Sequence, residues 1–159
     1  MNSRRRLLGL AVVPALLSAH DDEGDPGLNR VLAIHGSSGP FAVAGYRMGQ
    51  AAMKQLGLGR ASGDCEVIHH APVDVELSSV VDGLQAATGA SLGKRNLLLV
   101  DSAGGESHSV VRNRKTNRQV RLTLTAGFLK AHRGMAAAAA AAAGARLIAV
   151  PESEIFRGQ

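Results

Sequence analysis

The stretch GPFAVAGYRMGQAAMKQLGLG, residues 39–59, does most to limit what this chain can fold into. Phe41, Ala44, Met48, Ala51, Ala52 and Leu56 recur close to helical spacing, so the segment reads as a helix with a face to bury. Pro40 suits the first turn, where its missing N–H costs nothing, and Gly57 and Gly59 suit the exit. Gly45 and Gly49 lie four apart, which permits another backbone to come close.

The rest of the chain supplies strands for such a helix to cover. CEVIHHAPV (65–73) reads as a strand stopped by Pro72, and ELSSVVDGLQAATG (76–89) as a helix closed by Gly89. Residues 96–102, 107–112 and 119–125 are three further strand-like runs, the last two joined by a short polar connection that predicts an antiparallel pair. VLAIHG (31–36) reads as a short buried strand or the approach to a helix. Residues 147–150 read as a last strand and PESEIF as a final helical turn. The alanine run at 136–143 is a strong helix former with little to bury. No internal repeat is present. With no Trp, one Tyr and three Phe, the core must be aliphatic. The expected fold is α+β, a mostly antiparallel or mixed sheet with helices packed on one face.

The first residues call for export. MNSRRRLLGLAVVPALLSAH has Arg4, Arg5 and Arg6 ahead of an apolar run from Leu7 to Ala19, too short for a comfortable bilayer span. It resembles a twin-arginine signal peptide at residues 1–19, followed by a flexible lead-in at 20–30 and a domain at 31–159. Cleavage leaves fifteen basic against 13 acidic residues, a net charge of +2. That near-neutrality gives nucleic-acid binding no support, and the mature chain is expected to have no membrane span. The expected location is exported and periplasmic. A start at His20 would offer a copper site at the new terminus.

Cys65 is the sole cysteine, which excludes an internal disulfide and a cysteine-based zinc cage. Beside an apolar strand it reads as a small hydrophobe. TGASLGK (88–94) lacks one residue of P-loop spacing, has Arg95 at the magnesium-binding hydroxyl position and follows a helix. It reads as a turn. Arg112, Arg114, Lys115, Arg118 and Arg121 form a basic hairpin end that suits solvent better than an anionic partner.

Chemistry-bearing residues gather elsewhere. On a helical wheel of 76–89, Ser79, Asp82 and Gln85 lie opposite the apolar side. His35 ends an apolar segment before the small residues GSSG, and alternation sends one of His69 and His70 inward. Imidazoles are both metal ligands and acid–base groups. The bland reading is an amphipathic helix facing water and hydrogen-bonded structural histidines.

HGSSGPFAVAGYRMGQAAMKQLG with VVDGLQAATGASLGKRNLLL resembles the formylmethanofuran dehydrogenase E-subunit family, over about residues 31–128 and again at AVPESEIF. His35, Gly36, Pro40, Gly45, Arg47, Gly49, Leu56 and Gly57 match its first block. Asp82, Gln85, Thr88, Gly89, Gly93, Lys94, Asn96 and Leu97 match its second. The resemblance gives 88–97 the role of a helix-to-strand crossover, with Gly89 in a left-handed turn and Gly93 at a close backbone approach.

Metal-binding members of that family offer His and Cys from the first motif and Cys from the helix. This chain has Ser37, Gly39 and Ser79 there, so it is a cysteine-depleted member. The resemblance also implies an accessory domain rather than an enzyme, and a homodimer. The expected function is an exported accessory or binding domain that holds a metal ion or a small anionic ligand. The expected pocket comprises His35, His69, Ser79, Asp82, Gln85 and Lys94. His35 and His69 would hold the metal ion, which would be zinc, nickel or copper. The alternative is a hydrolase-like enzyme in which Asp82 orients a histidine base for Ser79.

Overall fold

The computed structural model describes residues 26–159; the expected signal peptide, cleavage point and His20 start lie outside the described residues. Helix α1 (Pro26–His35) begins at a proline and buries Val31. Residues 26–30, expected in the lead-in, are therefore helical, and VLAIHG is helix up to His35 rather than strand. Helix α2 (Pro40–Leu56) follows. It is buried on nearly every side, against α1, the strands His108–Asn113 and Arg118–Leu124 and the later helices Val80–Thr88 and Ala137–Arg146.

Strand β1 (Cys65–Ala71), helices α3 (Val75–Ser78) and α4 (Val80–Thr88), and strand β2 (Leu97–Asp101) come next. Strands β3 (His108–Asn113) and β4 (Arg118–Leu124), helices α5 (Ala126–His132), α6 (Ala137–Arg146) and α7 (Glu152–Ile155), and strand β5 (Phe156–Gly158) complete the fold. The sheet order is β2-β1-β3-β4-β5, with β1 and β2 parallel and every other pair antiparallel. This is the expected α+β class with a mixed sheet.

Alternation places Cys65, Val67, His69 and Ala71 of β1 inside, beside Val111 of β3 and Val120 and Leu122 of β4. The helices cover this side. The opposite side carries Ile68, His70, Leu98, Val100, His108 and Val110, and among the described residues no helix covers it. Among the described residues no helix is long and apolar enough to cross a membrane.

Besides α1 and the unforeseen strand β5, two elements differ from the sequence reading. The helix expected over 76–89 is two helices. At the break the Ser79 hydroxyl donates to the Val75 carbonyl at 2.6 Å, and the Asp82 N–H reaches only three residues back, to Ser79. Residues 147–150 are a turn rather than a strand. Arg47 takes their carbonyls, its Nη1 donating to Leu147, Ile148 and Val150 at 2.5, 2.7 and 3.1 Å. With three carbonyls drawn to one guanidinium, and the Leu147 and Ala149 N–H groups turned back to Gly144 and Arg146, the segment is held as a turn.

The α2–α4 crossing fixes the spacing of everything above the sheet. A Cβ on Gly45 would overlap the Val80 carbonyl, and one on Gly83 the Ala42 carbonyl; one on Gly49 would lie 2.6 Å from the Ala87 Cβ. The close approach expected at Gly45 and Gly49 is present, with Gly83 as its counterpart.

Candidate functional site

His35 is the last residue of α1, and Gly36, at φ +80°, turns the chain back toward α2. Asp82 sits in the first turn of α4. The α2–α4 crossing holds these segments together, and His35 Nδ1 lies 2.8 Å from Asp82 Oδ2. A carboxylate oxygen accepts, so Nδ1 carries the proton and donates. That leaves Nε2 as the working nitrogen.

Two hollows meet at this histidine. One, of about 270 Å³, is bounded by Ser37, Gly39, Pro40, Ser79 and the α6 alanines Ala137, Ala140 and Ala141. The other, of about 390 Å³, is bounded by Asp82, Ser79 and the apolar rim Val73, Val81 and Leu99. The alanine run thus has a place: short side chains let α6 lie close beside the turn. A Cβ on Gly144 would overlap the Ser38 carbonyl, and the Ser38 hydroxyl donates to the Ala141 carbonyl at 3.1 Å.

The first turn of α2 faces the smaller hollow. Its N-cap is Gly39, which makes no side-chain cap. The N–H groups that open a helix lack intrahelical partners and carry its positive end. Glu76 also borders this hollow, but it accepts from the Gly134 N–H at 2.8 Å and faces Arg133 Nε at 3.7 Å. Asp74, on the rim of the second hollow, is paired with Arg133 at 2.5 Å. The acids are therefore answered, and the hollow keeps a free imidazole nitrogen and a bare helix start.

The other expected site residues go elsewhere. His69 is 1% exposed, with Nδ1 2.9 Å from the Ser109 hydroxyl and Nε2 2.9 Å from the Leu77 carbonyl. The carbonyl fixes the proton on Nε2, so the Ser109 hydroxyl donates to Nδ1. Both nitrogens are spent, and burial pushes the imidazole down to about 4. His69 is a core histidine rather than a ligand.

Lys94 and Gln85 line neither hollow. The Lys94 ammonium donates to the Gly89 carbonyl at 2.8 Å, at the far end of α4 from Asp82. Ser79 borders both hollows, but its hydroxyl is turned back to Val75 instead of toward a base.

The crossover at 88–97 is framework. The Thr88 hydroxyl donates to Leu84 and accepts from the Ala90 N–H, and Asn96 bridges the Cys65 carbonyl and the Ser91 N–H. Gly89 is left-handed at φ +70°, as expected. It is also the point of close approach, because a Cβ there would lie 3.0 Å from the Ala61 nitrogen, while Gly93 has nothing within 4 Å. Cys65 is fully buried beside the Met53 sulfur at 3.6 Å, and desolvation raises its thiol to about 11. It behaves as the small hydrophobe expected.

The fit to a metal is decided by the donors. A Cβ at position 39 would stand 3.7 Å from His35 Nε2 and 3.8 Å from the Ser37 hydroxyl, so a thiolate carried there would face the imidazole. Glycine removes it. Ser37 and Ser79 contribute neutral hydroxyls, which are weak ligands. Among the described residues no group of three or more His, Cys, Asp or Glu is arranged around a common point. Three or four strong donors are needed to hold zinc, and these residues do not supply them.

Sequence reasoning placed the start of α2 at Pro40 but missed that it faces the hollow, and it missed the α6 wall and Arg47 as an organiser of residues 147–150. A glycine instead of Ser, Thr, Asp or Asn before Pro40 was the signal for the uncapped helix. Residues 34–157 match the family model described as FmdE, Molybdenum formylmethanofuran dehydrogenase operon. No curated protein matches the chain.

Proposed function

Because the chain belongs to the FmdE family, we propose that it is an exported accessory domain that binds a small carboxylate or oxyanion between His35 and the start of α2. The observation that carries this reading is the 2.8 Å His35–Asp82 contact. It orients the ring and directs Nε2 toward a helix start without a cap. The metal reading is the weaker one, since a single imidazole nitrogen remains where the family offers thiolates. Export rests on Arg4–Arg6 and the apolar run behind them. We further propose that two copies pair through the sheet side that no helix covers.

Isothermal titration with acetate and phosphate, beside Zn²⁺, Ni²⁺ and Cu²⁺, tests the site. The protein is taken from its own export compartment and first weighed by native mass spectrometry. The expected result is a mass lacking residues 1–19 and anion binding abolished by His35→Ala, with no tight metal uptake. Stoichiometric metal lost in His35→Ala would replace the anion reading with the metal one. A full-length mass would remove export.

A further inference from the structure

We propose a second binding site, for a carboxylate carried on an apolar body, in the hollow enclosed by α5, α6 and α7. Its volume is about 620 Å³, which lies in the range of small-molecule pockets. Phe128, Leu147, Val150 and Ile155 give it an apolar floor, and Arg146 and Arg157 stand at its rim. Among the described residues neither guanidinium forms an ion pair or a side-chain hydrogen bond. Glu154 is the one acid on the lining, so the rim keeps an excess of positive charge over an apolar floor. That pairing of features selects an amphiphilic anion: the arginines meet the carboxylate, and burial of the tail supplies affinity.

The walls are built to stay open. Arg47 already occupies the carbonyls of Leu147, Ile148 and Val150, so that turn offers side chains rather than bare acceptors that would repel an anion. His132 is stacked on Phe128 at 4.5 Å, and its Nδ1 donates to the Phe128 carbonyl at 2.9 Å, which fixes the ring at the edge. Ala143 contributes almost no bulk where α6 borders the hollow. The site shares only His132 with the hollows at His35, so it stands or falls independently of the anion proposed there.

Titration calorimetry with decanoate and with decan-1-ol tests it, on the parent, Arg146→Gln/Arg157→Gln, Ala143→Leu and His35→Ala, each checked for an unchanged circular dichroism spectrum. The parent is expected to bind one decanoate saturably, and decanol at least about tenfold more weakly, the equivalent of one lost charged hydrogen bond. The double arginine variant should weaken decanoate by at least about tenfold, and Ala143→Leu should weaken it by narrowing the hollow. His35→Ala should bind like the parent. Absence of saturable decanoate binding overturns the proposal. So does equal affinity for decanol, an unweakened arginine variant, an unweakened Ala143→Leu variant, or binding lost in His35→Ala.

Discussion

Burial in β1 pushes the His69 imidazole down to about 4, because desolvation outweighs the support its Leu77 carbonyl acceptor gives the protonated form. The consequence for stability has a definite sign. Above an ordinary histidine value of about 6.5 the ring is neutral in both states and adds no pH dependence. As pH falls from there toward 4, the unfolded chain takes up a proton that the folded chain refuses. Stability therefore drops, by about 3 kcal/mol for the full shift. His108, also lowered chiefly by desolvation, acts in the same direction. Urea unfolding at about pH 7.5 and about pH 4.5 should show the parent losing more stability than His69→Gln, whose amide can still donate to Leu77. Equal losses would mean that His69 is not the group resisting the proton. Alternation along VIHHAP was enough to say that one histidine points inward. It could not say that the ring is fully engaged, because Ser109 and Leu77 arrive from 40 and 8 residues away. The His35–Asp82 contact spans 47 residues, yet it was legible through the family motifs that place both residues.

Backbone-to-backbone contact between α2 and α4 makes glycine a requirement at Gly83. The Cβ of an alanine there would meet the Ala42 carbonyl and lie 2.5 Å from the Tyr46 nitrogen, both backbone atoms that cannot swing aside. Gly83→Ala should cost about 3 kcal/mol by forcing the helices apart. Gly93→Ala, with nothing within 4 Å, should stay within about 0.5 kcal/mol of the parent. Thermal denaturation of the two variants decides the matter, and a Gly83→Ala protein as stable as the parent would contradict so close a crossing. The same separation would pull α4 away from α1, so the His35–Asp82 distance depends on this glycine. Periodicity and Pro/Gly punctuation made α2, β1, β3 and β4 readable, since each has its own local signal. One error fell where a distant partner overrides local preference, the other where a local side-chain bond divides a helix. Residues 147–150 have strand-like composition, but Arg47, about a hundred residues earlier, claims their carbonyls. Residues 76–89 have one helical pattern, but the turn at Ser79 divides it.

Most of the family-matched residues serve the frame rather than the chemistry: Arg47 folds the 147–150 turn, Thr88 and Asn96 lock the crossover, Lys94 caps α4, and Gly45 and Gly49 set the helix spacing. What remains unaccounted for by the frame is the bare side of the sheet. Leu98 and Val100 are 46% and 38% exposed there, in register with Ile68 and His70 of β1, which in turn face Val110 and His108 of β3. The His70 and His108 rings stack at 4.5 Å, making a flat, partly apolar surface. Glu66 with Arg112, and Glu106 with Arg121, put both signs of charge around it, which suits the proposed pairing with a rotated copy. The proposed pairing buries this surface, and a charge at its centre should break it. Sedimentation equilibrium of the mature chain is expected to give a dimer, and Leu98→Lys/Val100→Lys should weaken association by at least about a hundredfold, two buried apolar contacts being replaced by two unpaired charges. Those side chains point away from the helices, so the variant should keep the parent's unfolding midpoint when both are monomeric. A parent that sediments as a monomer at every concentration, or a variant that dimerises as well as the parent, would place any interface elsewhere than on this face.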